Sequence, residues 1–403
     1  MRTRNSLVLP LYLPTLLLSF ATGMLTPILP LYARSFDLSY SLVGVVLASQ
    51  GMGNLMADVP AGILLGRLGH RWTMMLGVGT LGLAMLGISW ARSVPELVAF
   101  GLAAGVGNAM WNISRHAYMT SHITLQERGR ATATFGGLNR IGSFAGPAAG
   151  AALGAAFGLS FPFVVYAGVA GVALLLSALF VEDTGEPVQR RGGLRGHGLH
   201  LYRVVHTHFR ILTTAGVGQL FAQMIRSGRT SLIPLYAADV VGLDLPAIGW
   251  VITLAAAVDM AMFYPAGLLM DRYGRKHAIV PSFALQALGM ALVPLTASFG
   301  SLLAATLLIG FGNGIGSGTM LTLGSDLAPK DGSMGEFLGV WRLIGDAGAT
   351  GAPIVVGSVA DLLGLSMATF AIAGMGLAAS TIFALLVPET LRARPVVSEV
   401  KAT

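Results

Sequence analysis

The sequence contains no cysteine and very little charge. Without cysteine the chain can form no disulfide, no thiolate metal site and no cysteine nucleophile. Only 11% of its 403 residues are charged and 54% are hydrophobic, whereas a soluble domain carries about 25% charged residues. This composition leaves too little polar surface to coat a water-soluble globule. We therefore predict a membrane protein.

Several functional motifs are also missing. No GxxxxGK[ST] loop occurs, so ATP is not the direct energy source on this chain. No HExxH, Ser-His-Asp or paired-carboxylate pattern indicates an enzyme. GVGTLG, from Gly77 to Gly82, lies inside an apolar run with no strand before it, which argues against a dinucleotide site. The net charge of +7 is spread between apolar runs instead of one basic face, and we expect no cofactor and no nucleic-acid partner.

The sequence does contain long apolar runs. A helix needs about 20 residues to cross the roughly 30 Å hydrocarbon core of a bilayer. Twelve runs meet this length, at about 7–32, 40–66, 72–91, 94–118, 131–157, 160–181, 211–238, 245–270, 277–297, 300–323, 335–358 and 366–387. The first run is longer than the apolar core of a usual signal peptide, so we do not expect cleavage. The prediction is an all-α polytopic membrane protein with twelve transmembrane helices.

The positions of Lys and Arg predict the orientation. In short loops these residues stay on the cytoplasmic side. With the N-terminus inside, the outer loops hold only Arg34 and Arg92. We therefore predict a protein of the cytoplasmic (inner) membrane with both termini cytoplasmic.

One long polar stretch divides the chain into two halves of six helices. The predicted parts are 1–181, a cytoplasmic linker at 182–210, a second half at 211–390 and a cytoplasmic tail at 391–403. Four linker histidines raise the alternative of a metal site: His197, His200, His206 and His208. No carboxylate is interleaved with them, and a basic linker lying on anionic membrane lipid explains the stretch equally well. We predict no metal site.

The two halves repeat each other. GILLGRLGHRWT, starting at Gly62, corresponds to GLLMDRYGRKHA, starting at Gly267, and each follows the second helix of its half. Three shorter matches follow in the same order: Pro30-Leu31-Tyr32 with Pro234-Leu235-Tyr236, Gly107-Asn108 with Gly312-Asn313, and Gly146-Pro147 with Ala352-Pro353. Pseudo-symmetric halves with a substrate site between them at mid-membrane are a common transporter plan.

These motifs resemble the major facilitator superfamily over nearly the whole chain. The loop signature G-x-L-x-D-R-x-G-R-[RK] is complete in the second half as Gly267, Leu269, Asp271, Arg272, Gly274, Arg275 and Lys276. It is degenerate in the first half, from Gly62 to Arg71, and VPET at 387–390 is similar to the family's PET ending. GSFAGPAAG in the fifth span is similar to the glycine-proline motif of bacterial drug/proton antiporters. The resemblance implies a secondary transporter that works by alternating access, and we expect a monomer.

The resemblance also assigns roles to the loop residues. In the family, the loop aspartate faces the N-terminus of a helix in the opposite half, where a negative charge is stabilised by about 0.3 to 1 kcal/mol. Asp271 is expected to contact helix five in this way, whereas Gly66 cannot serve helix eleven. With Asp271 we assign Arg67 and Arg272 to the cytoplasmic gate.

The fifth span carries a stripe of small residues. Glycines at four-residue spacing let helices approach closely. We predict a helix-packing motif formed by Gly142, Gly146, Pro147 and Gly150.

Charged residues inside the spans are functional candidates, because each costs at least about 2.5 to 3.5 kcal/mol on insertion scales. They are Asp58, Arg115, Arg140, Arg226, Arg229, Asp259, Arg342 and Asp346. In this family helix two faces helix eleven, which suggests a gate pair of Asp58 with Arg342. Helix five faces helix eight, which suggests a second pair of Arg140 with Asp259. The alternative is static pairing that only orients helices. For proton coupling the candidates are Asp259, Asp346 and Asp58.

Two arginines on the seventh span indicate a substrate site. Arg226 and Arg229 are three residues apart, so both guanidinium groups could face one aqueous cavity and hold a carboxylate or phosphate. The alternative is that they extend toward the outer surface. The other candidate substrate-binding residues are Arg115, Asn108, Trp111, Asn112, Gln219, Gln223 and Asn313.

Together these features predict a proton-motive transporter that exports small organic solutes or drugs. Two alternatives stay open. One is proton-coupled uptake of a small anionic metabolite, which Arg226 and Arg229 favour. The other is translocation of a lipid or another amphiphile.

Overall fold

The computed structural model describes residues 7–123, 128–182, 205–329 and 333–391, and the side chains of all of these except 128–133. Within these ranges all regular secondary structure is helical. The helical segments are α1 Val8–Arg34, α2 40–68, α3 70–90, α4 Val94–His122, α5 Arg128–Phe157, α6 Phe161–Phe180, α7 Phe209–Asp239, α8 Leu245–Tyr273, α9 Arg275–Leu295, α10 Phe299–Leu327, α11 Met334–Leu363 and α12 Leu365–Leu385. Six helices lie in each half, as the sequence predicted.

Nine continuous helices within the described ranges are long and apolar enough to cross a membrane, with Tyr40–Trp90 counted as one. That segment is 51 residues long and contains both α2 and α3. The helices α5 and α7 have 30 and 31 residues but are less apolar, because α5 is rich in glycine and α7 carries three arginines. The all-helical membrane fold is therefore confirmed.

Glycine ends the second helix of each half. At Gly69 the backbone has φ 78° and ψ 179°, and at Gly274 it has φ 109° and ψ 163°. These values suit glycine because a Cβ is disfavoured at positive φ. The two glycines occupy the same place in the repeated loop sequences, so the repeat specifies the turn between α2 and α3 and between α8 and α9.

The tenth helix is interrupted, which the apolar run at 300–323 did not predict. Its first part ends at Ile315, and its second part begins at Thr319. Gly318 lies between them with φ 76°. The sequence GIGSG explains the break, since glycine both lowers helix propensity and allows this backbone conformation.

The two halves pack tightly at one end of the bundle, which we call the closed end. The Asp361 carboxylate on α11 accepts hydrogen bonds from the backbone N–H of Tyr40 at 2.8 Å and of Ser41 at 2.9 Å, at the start of α2. Asp239 on α7 accepts a hydrogen bond from the Tyr40 hydroxyl at 2.8 Å and pairs with Arg34 at 3.4 Å. These contacts tie the first half to the second.

The same helices separate toward the other end, which we call the open end. Close contacts follow α2 and α11 from Gly44, beside the backbone of Pro353, to Gly51, beside the side chain of Thr350. Toward the open end, a Cβ added at Gly62 on α2 or at Gly339 on α11 would meet no atom within 4 Å. Within the described residues, the close contacts between α2 and α11 are therefore concentrated toward the closed end.

Within the first half, α5 packs on α1 through its small residues. A Cβ at Gly142 would lie 2.7 Å from the backbone nitrogen of Phe20, and one at Gly146 would lie 2.6 Å from the Cα of Gly23. A Cβ at Gly150 would overlap the backbone of Met24. The structure thus places the predicted stripe in a helix contact, while the carbonyl of Pro147 faces Gly249 on α8.

Parts of the predicted linker and tail fall outside the described residues, including His197, His200 and the tail from 392 onward. His208 contacts the ring of Phe337, with the ring centroids 5.9 Å apart. In the described ranges no group of three or more His, Asp and Glu is placed to hold a metal ion.

Candidate functional site: two cavities between the halves

A cavity of about 430 Å³ lies between the two halves. We call it the central cavity. Its wall comes from α1, α2, α3, α4 and α6 of the first half and from α7 and α11 of the second. Asp346 is the only charged residue among the described residues that line it, and the neutral polar ones include Gln50, Asn54, Asn108 and Thr350.

A second cavity of about 200 Å³ adjoins the first, because Thr26 and Thr230 line both. We call it the charged cavity, since Arg229 and Asp259 lie on its wall. Most of the remaining wall is apolar and includes Ile233, Ile252 and Ile309. Charges in such surroundings interact more strongly than they would in water.

Asp259 on α8 links the two halves. One of its oxygens lies 3.2 Å from a guanidinium nitrogen of Arg140 on α5, and the other accepts a hydrogen bond from Asn313 on α10 at 2.7 Å. Arg140 also donates to the hydroxyl of Ser317, at 2.8 Å, and lies over the ring of Phe263 at 4.6 Å. The structure therefore brings together the pair that the sequence suggested.

Arg226 lies away from both cavities, contrary to the expectation that it shares one with Arg229. Its guanidinium donates to the carbonyl of Gly316 at 2.9 Å and lies over the ring of Phe283 at 5.2 Å. Gly316 is the C-cap residue that directly follows the first part of α10. A cation at a helix C-terminus stabilises the exposed carbonyls, and α10 is interrupted there. The physical reason for the difference is thus the break in α10.

Arg229 is the arginine of α7 that faces a cavity. It lines the charged cavity with Asp259, and Arg140 and Asp259 are its electrostatic neighbours. No hydrogen bond or ion pair joins its guanidinium to any residue that the structure describes.

The other suggested pair, Asp58 with Arg342, is not in contact. Arg342 instead pairs with Asp346 one turn along α11, at 3.4 Å. Asp58 is half-buried and within electrostatic reach of both residues. The open end of the bundle explains the separation, because α2 and α11 have already diverged at this depth.

Three further candidates from α4 lie in other surroundings. Trp111 is only 2% exposed, packed inside the first half. Arg115 lies over its ring at 5.6 Å and over Phe135 at 4.5 Å. Neither residue, nor Asn112, lines the two cavities. In this structure aromatic rings surround the cation of Arg115, and a role of Trp111 and Arg115 in substrate binding stays a prediction.

The predicted amide residues divide between cavity and helix contacts. Asn108 lines the central cavity and donates to Asn54 on α2 at 3.1 Å. Gln219 and Gln223 lie against Gly345, where α7 packs on α11. These two glutamines therefore lie in a helix contact away from both cavities.

The loop residues of the expected gate lie at the open end. Asp271 is exposed and pairs with Arg275 in its own loop at 3.4 Å, with no contact to α5. Arg272 lies over Tyr273 at 5.4 Å, and Arg67 is exposed. The expected contact between Asp271 and helix five is absent from these described residues because the halves are apart at this end.

The PET ending forms contacts that sequence reasoning missed. Glu389 accepts hydrogen bonds from the backbone N–H of Arg275 at 2.9 Å and of Lys276 at 3.0 Å, at the start of α9. Burial raises the pKa of the Glu389 carboxyl, but backbone N–H donors lower it more, so its pKa lies below the usual range. Asp326 joins the cluster by pairing with Arg275 at 2.9 Å. The signal was present, since a carboxylate favours a helix N-terminus.

Two other contributors were missed. Ser317 accepts a hydrogen bond from Arg140, and this role can be recognised only once the break in α10 is known. The role of Asp361 was hard to predict from the sequence, because its partner Tyr40 is 321 residues away in the chain.

Comparison with known proteins shows to which family the chain belongs. The sequence model of the Major Facilitator Superfamily matches residues 11–217 and 215–402. The chain belongs to the Major Facilitator Superfamily. Two separate matches of one model also agree with the repeat between the halves. Members of this family are multi-pass membrane transporters that bind small-molecule substrates and are generally not enzymes.

Similar superfamily members occur in bacteria. The uncharacterized MFS-type transporter YfkF of Bacillus subtilis (strain 168) is 22% identical over 263 residues, which cover 65% of each chain. YcaD of Salmonella paratyphi B is 25% identical over 281 residues, which cover 68% of this chain and 69% of that one. The matched regions thus span about two thirds of these relatives.

Solved structures of other transporters share the fold. A bacterial homolog of the human lysosomal transporter Spinster, in an inward-facing and occupied conformation, has a TM-score of 0.79 at 14% identity and covers 96% of this chain and 97% of its own. A POT family transporter in complex with 5-aminolevulinic acid has a TM-score of 0.78 at 13% identity, with 96% of each chain covered. The human organic anion transporter MFSD10 has a TM-score of 0.68 at 16% identity, with 95% and 100% covered. At these identities the likeness concerns the fold.

Proposed function

We propose that this chain is a proton-coupled secondary transporter of a small organic solute and that Asp259 carries the proton. One observation supports this above all. Asp259 lines the charged cavity and at the same time pairs with Arg140 of the other half at 3.2 Å. The protonation state of one carboxylate thus acts directly on a bond between the halves.

The mechanism follows from the charge of that bond. An ionised Asp259 holds Arg140 by a charge-assisted contact, which is about twice as strong as a neutral hydrogen bond. A protonated Asp259 loses this attraction, and α5 and α8 can then change their relative position. Rocking of the halves about a central site is the usual form of alternating access.

The positive-inside rule supports an orientation. The open end holds the start of α1 and the end of α12, and the loops there carry most of the loop Lys and Arg, including Arg67 and Arg272. We place this end in the cytoplasm of the inner membrane, so the structure corresponds to an inward-open state. In the opposite state Asp58 and Arg342 approach each other and close this end, with Asp271 near α5.

Two directions of transport compete. The glycine-proline motif of α5 favours export of small organic solutes or drugs in exchange for protons. A specific observation favours the second candidate, uptake of an anionic solute together with protons: the guanidinium of Arg229 lines the charged cavity without a protein partner among the described residues. Since helices of one chain enclose both cavities, we expect a monomer to be sufficient.

The test is the substitution Asp259→Asn in proteoliposomes. A labelled-compound panel in counterflow first identifies a transported solute. We expect Asp259→Asn to abolish transport driven by a proton gradient while exchange of solute down its own gradient continues, because the amide fills the site but carries no proton.

Asp37→Asn is the matched control. Asp37 is exposed at the closed end with φ 56°, a conformation that asparagine tolerates well. This variant should couple transport to protons as wild type does. Uphill transport at the wild-type rate in Asp259→Asn would show that the proton is carried elsewhere.

A further inference from the structure

Among the intramembrane arginines, Arg229 differs from its neighbours. Arg140 contacts Asp259 and Ser317, Arg226 contacts the carbonyl of Gly316, Arg342 contacts Asp346, and Arg115 lies over the rings of Trp111 and Phe135. Arg229 has no such partner within the described ranges, yet its guanidinium lines a cavity of about 200 Å³. A buried arginine in a membrane protein is costly and usually has a partner or a task.

The charges around this position do not balance within the protein. Asp259 is the acid on the wall of the charged cavity. The surrounding helices present Arg140 from α5 and both Arg226 and Arg229 from α7, while α10 contributes only the neutral Asn313 and Ser317. Both oxygens of Asp259 are already engaged, by Arg140 and Asn313. The region therefore has an excess of positive charge near an unpartnered guanidinium.

We propose that Arg229 binds an acidic group of the transported solute and that this anion and a proton on Asp259 bind cooperatively. The inference rests on the proposed proton coupling and selects its second candidate, uptake of an anion. A planar guanidinium presents two parallel donors to a carboxylate or a phosphate. The body of the solute extends past Thr26 and Thr230 into the central cavity, which these two residues also line.

The cooperativity has a simple electrostatic origin. A proton on Asp259 removes the negative charge that competes with the solute for Arg229 and Arg140. The cavity then attracts an anion more strongly, and the apolar wall limits screening. Because linkage is reciprocal, the bound anion favours the proton by the same factor. Coupling between two sites of this kind is typically about 5- to 150-fold.

A binding experiment with paired compounds tests the anion site. Thermal stabilisation of the purified full-length protein is measured with a panel of organic carboxylic acids, each paired with its uncharged amide, and with phosphate monoesters as a separate arm. We expect acids to stabilise the protein and their amides to have little effect. Apparent affinity should rise about tenfold when the pH is lowered by two units. The set of compounds that stabilises the protein shows whether the site binds a carboxylate or a phosphate.

Three variants make the result specific. Arg229→Gln should abolish stabilisation by the active acids, and Asp259→Asn should bind them at the low-pH wild-type affinity regardless of pH. Arg92→Gln removes an exposed arginine at the closed end and should behave as wild type. Thermal unfolding without ligand shows that each variant is folded.

Several results would overturn the inference. They are a panel in which no acid stabilises the protein, stabilisation by amides as strong as by acids, acid binding that persists in Arg229→Gln, or acid binding in wild type that does not change with pH. Failure of proton coupling is seen separately, since it leaves Asp259→Asn with normal uphill transport. The experiments therefore distinguish failure of the anion site from failure of the proton coupling.

Discussion

At the scale of single residues, Arg226 and Arg229 lie only three residues apart on one helix but have different surroundings. Both are arginines on α7, and sequence patterns predict the same role for both. The break in α10 lies beside Arg226 and offers it the carbonyl of Gly316 at 2.9 Å and the ring of Phe283. Arg229 lies about 300° further around the helix, which is equivalent to 60° in the other direction, and faces the charged cavity. Arg226 thus caps a helix end, and Arg229 lines the cavity in which we propose that it binds solute.

This division predicts opposite effects on stability. Arg226→Met should destabilise the folded protein by about 1 to 3 kcal/mol, because it removes a hydrogen bond from a charged donor to the buried Gly316 carbonyl, which then keeps only the hydroxyl and N–H of Thr319. Arg229→Met should change stability little or raise it, since it removes an unpartnered buried charge. Thermal unfolding in detergent measures both. Equal destabilisation by the two variants would contradict the assignment.

At the scale of elements, the contact between α1 and α5 depends on glycine. Gly142, Gly146 and Gly150 place the backbones of the two helices so close that a Cβ would collide with main-chain atoms of α1. Backbone atoms cannot rotate away as a side chain can. The stripe therefore sets the distance between these helices, and α5 in turn carries Arg140 to Asp259.

The prediction for this element is a loss of stability in Gly150→Ala. The new methyl group would overlap the backbone of Met24, and overpacking of this kind typically costs about 1 to 3 kcal/mol. Gly168→Ala on α6 is the control, because a Cβ there would meet no atom within 4 Å. Thermal unfolding should show a lower midpoint only for Gly150→Ala. Equal midpoints would mean that α1 and α5 can move apart at no cost.

At the scale of the whole molecule, the contacts between the halves are graded along the bundle. Asp361 and Asp239 fasten the closed end. The pair of Arg140 with Asp259 lies deeper. Beyond it Asp58 and Arg342 have separated. This gradient is the geometry expected of two bodies that rock about their middle.

Asp361→Ala should shift this balance toward the state in which the closed end opens. The variant removes two hydrogen bonds between the halves, and bonds to a charged group contribute about 1.5 to 3 kcal/mol each. Spin labels can report the shift cleanly because the chain has no cysteine of its own. The distance between labels at Phe157 and Leu295, at the closed end, should increase. The distance between labels at Trp72 and Tyr273, at the open end, should decrease.

Asp244→Ala is the control for this experiment. Asp244 lies at the same end, but it caps α8 within its own half through the N–H of Ala247 at 3.0 Å. Its removal should leave both label distances unchanged. Unchanged distances in Asp361→Ala would show that this carboxylate does not hold the halves together.

The sequence by itself determined the membrane, the twelve helices, the repeat and the family, because these follow from composition and from patterns local in the chain. Apolar length defines a membrane helix wherever it occurs, and the glycines that end α2 and α8 are visible in the repeated loops. The pair of Arg140 with Asp259 could also be predicted, since opposite charges at matching depth on facing helices have few other partners.

Only the tertiary structure decided which way each charged side chain faces and which pairs are closed at the same time. Arg226 turned from the cavity because α10 is broken beside it, and neither periodicity nor spacing on α7 contains that information. Asp58 and Arg342 are not paired, because Arg342 contacts Asp346 on its own helix, and no pattern in the sequence chooses between these two partners. Contacts between residues distant in sequence, such as Asp361 with Tyr40, exist only after the two halves have packed, so no local pattern could reveal them.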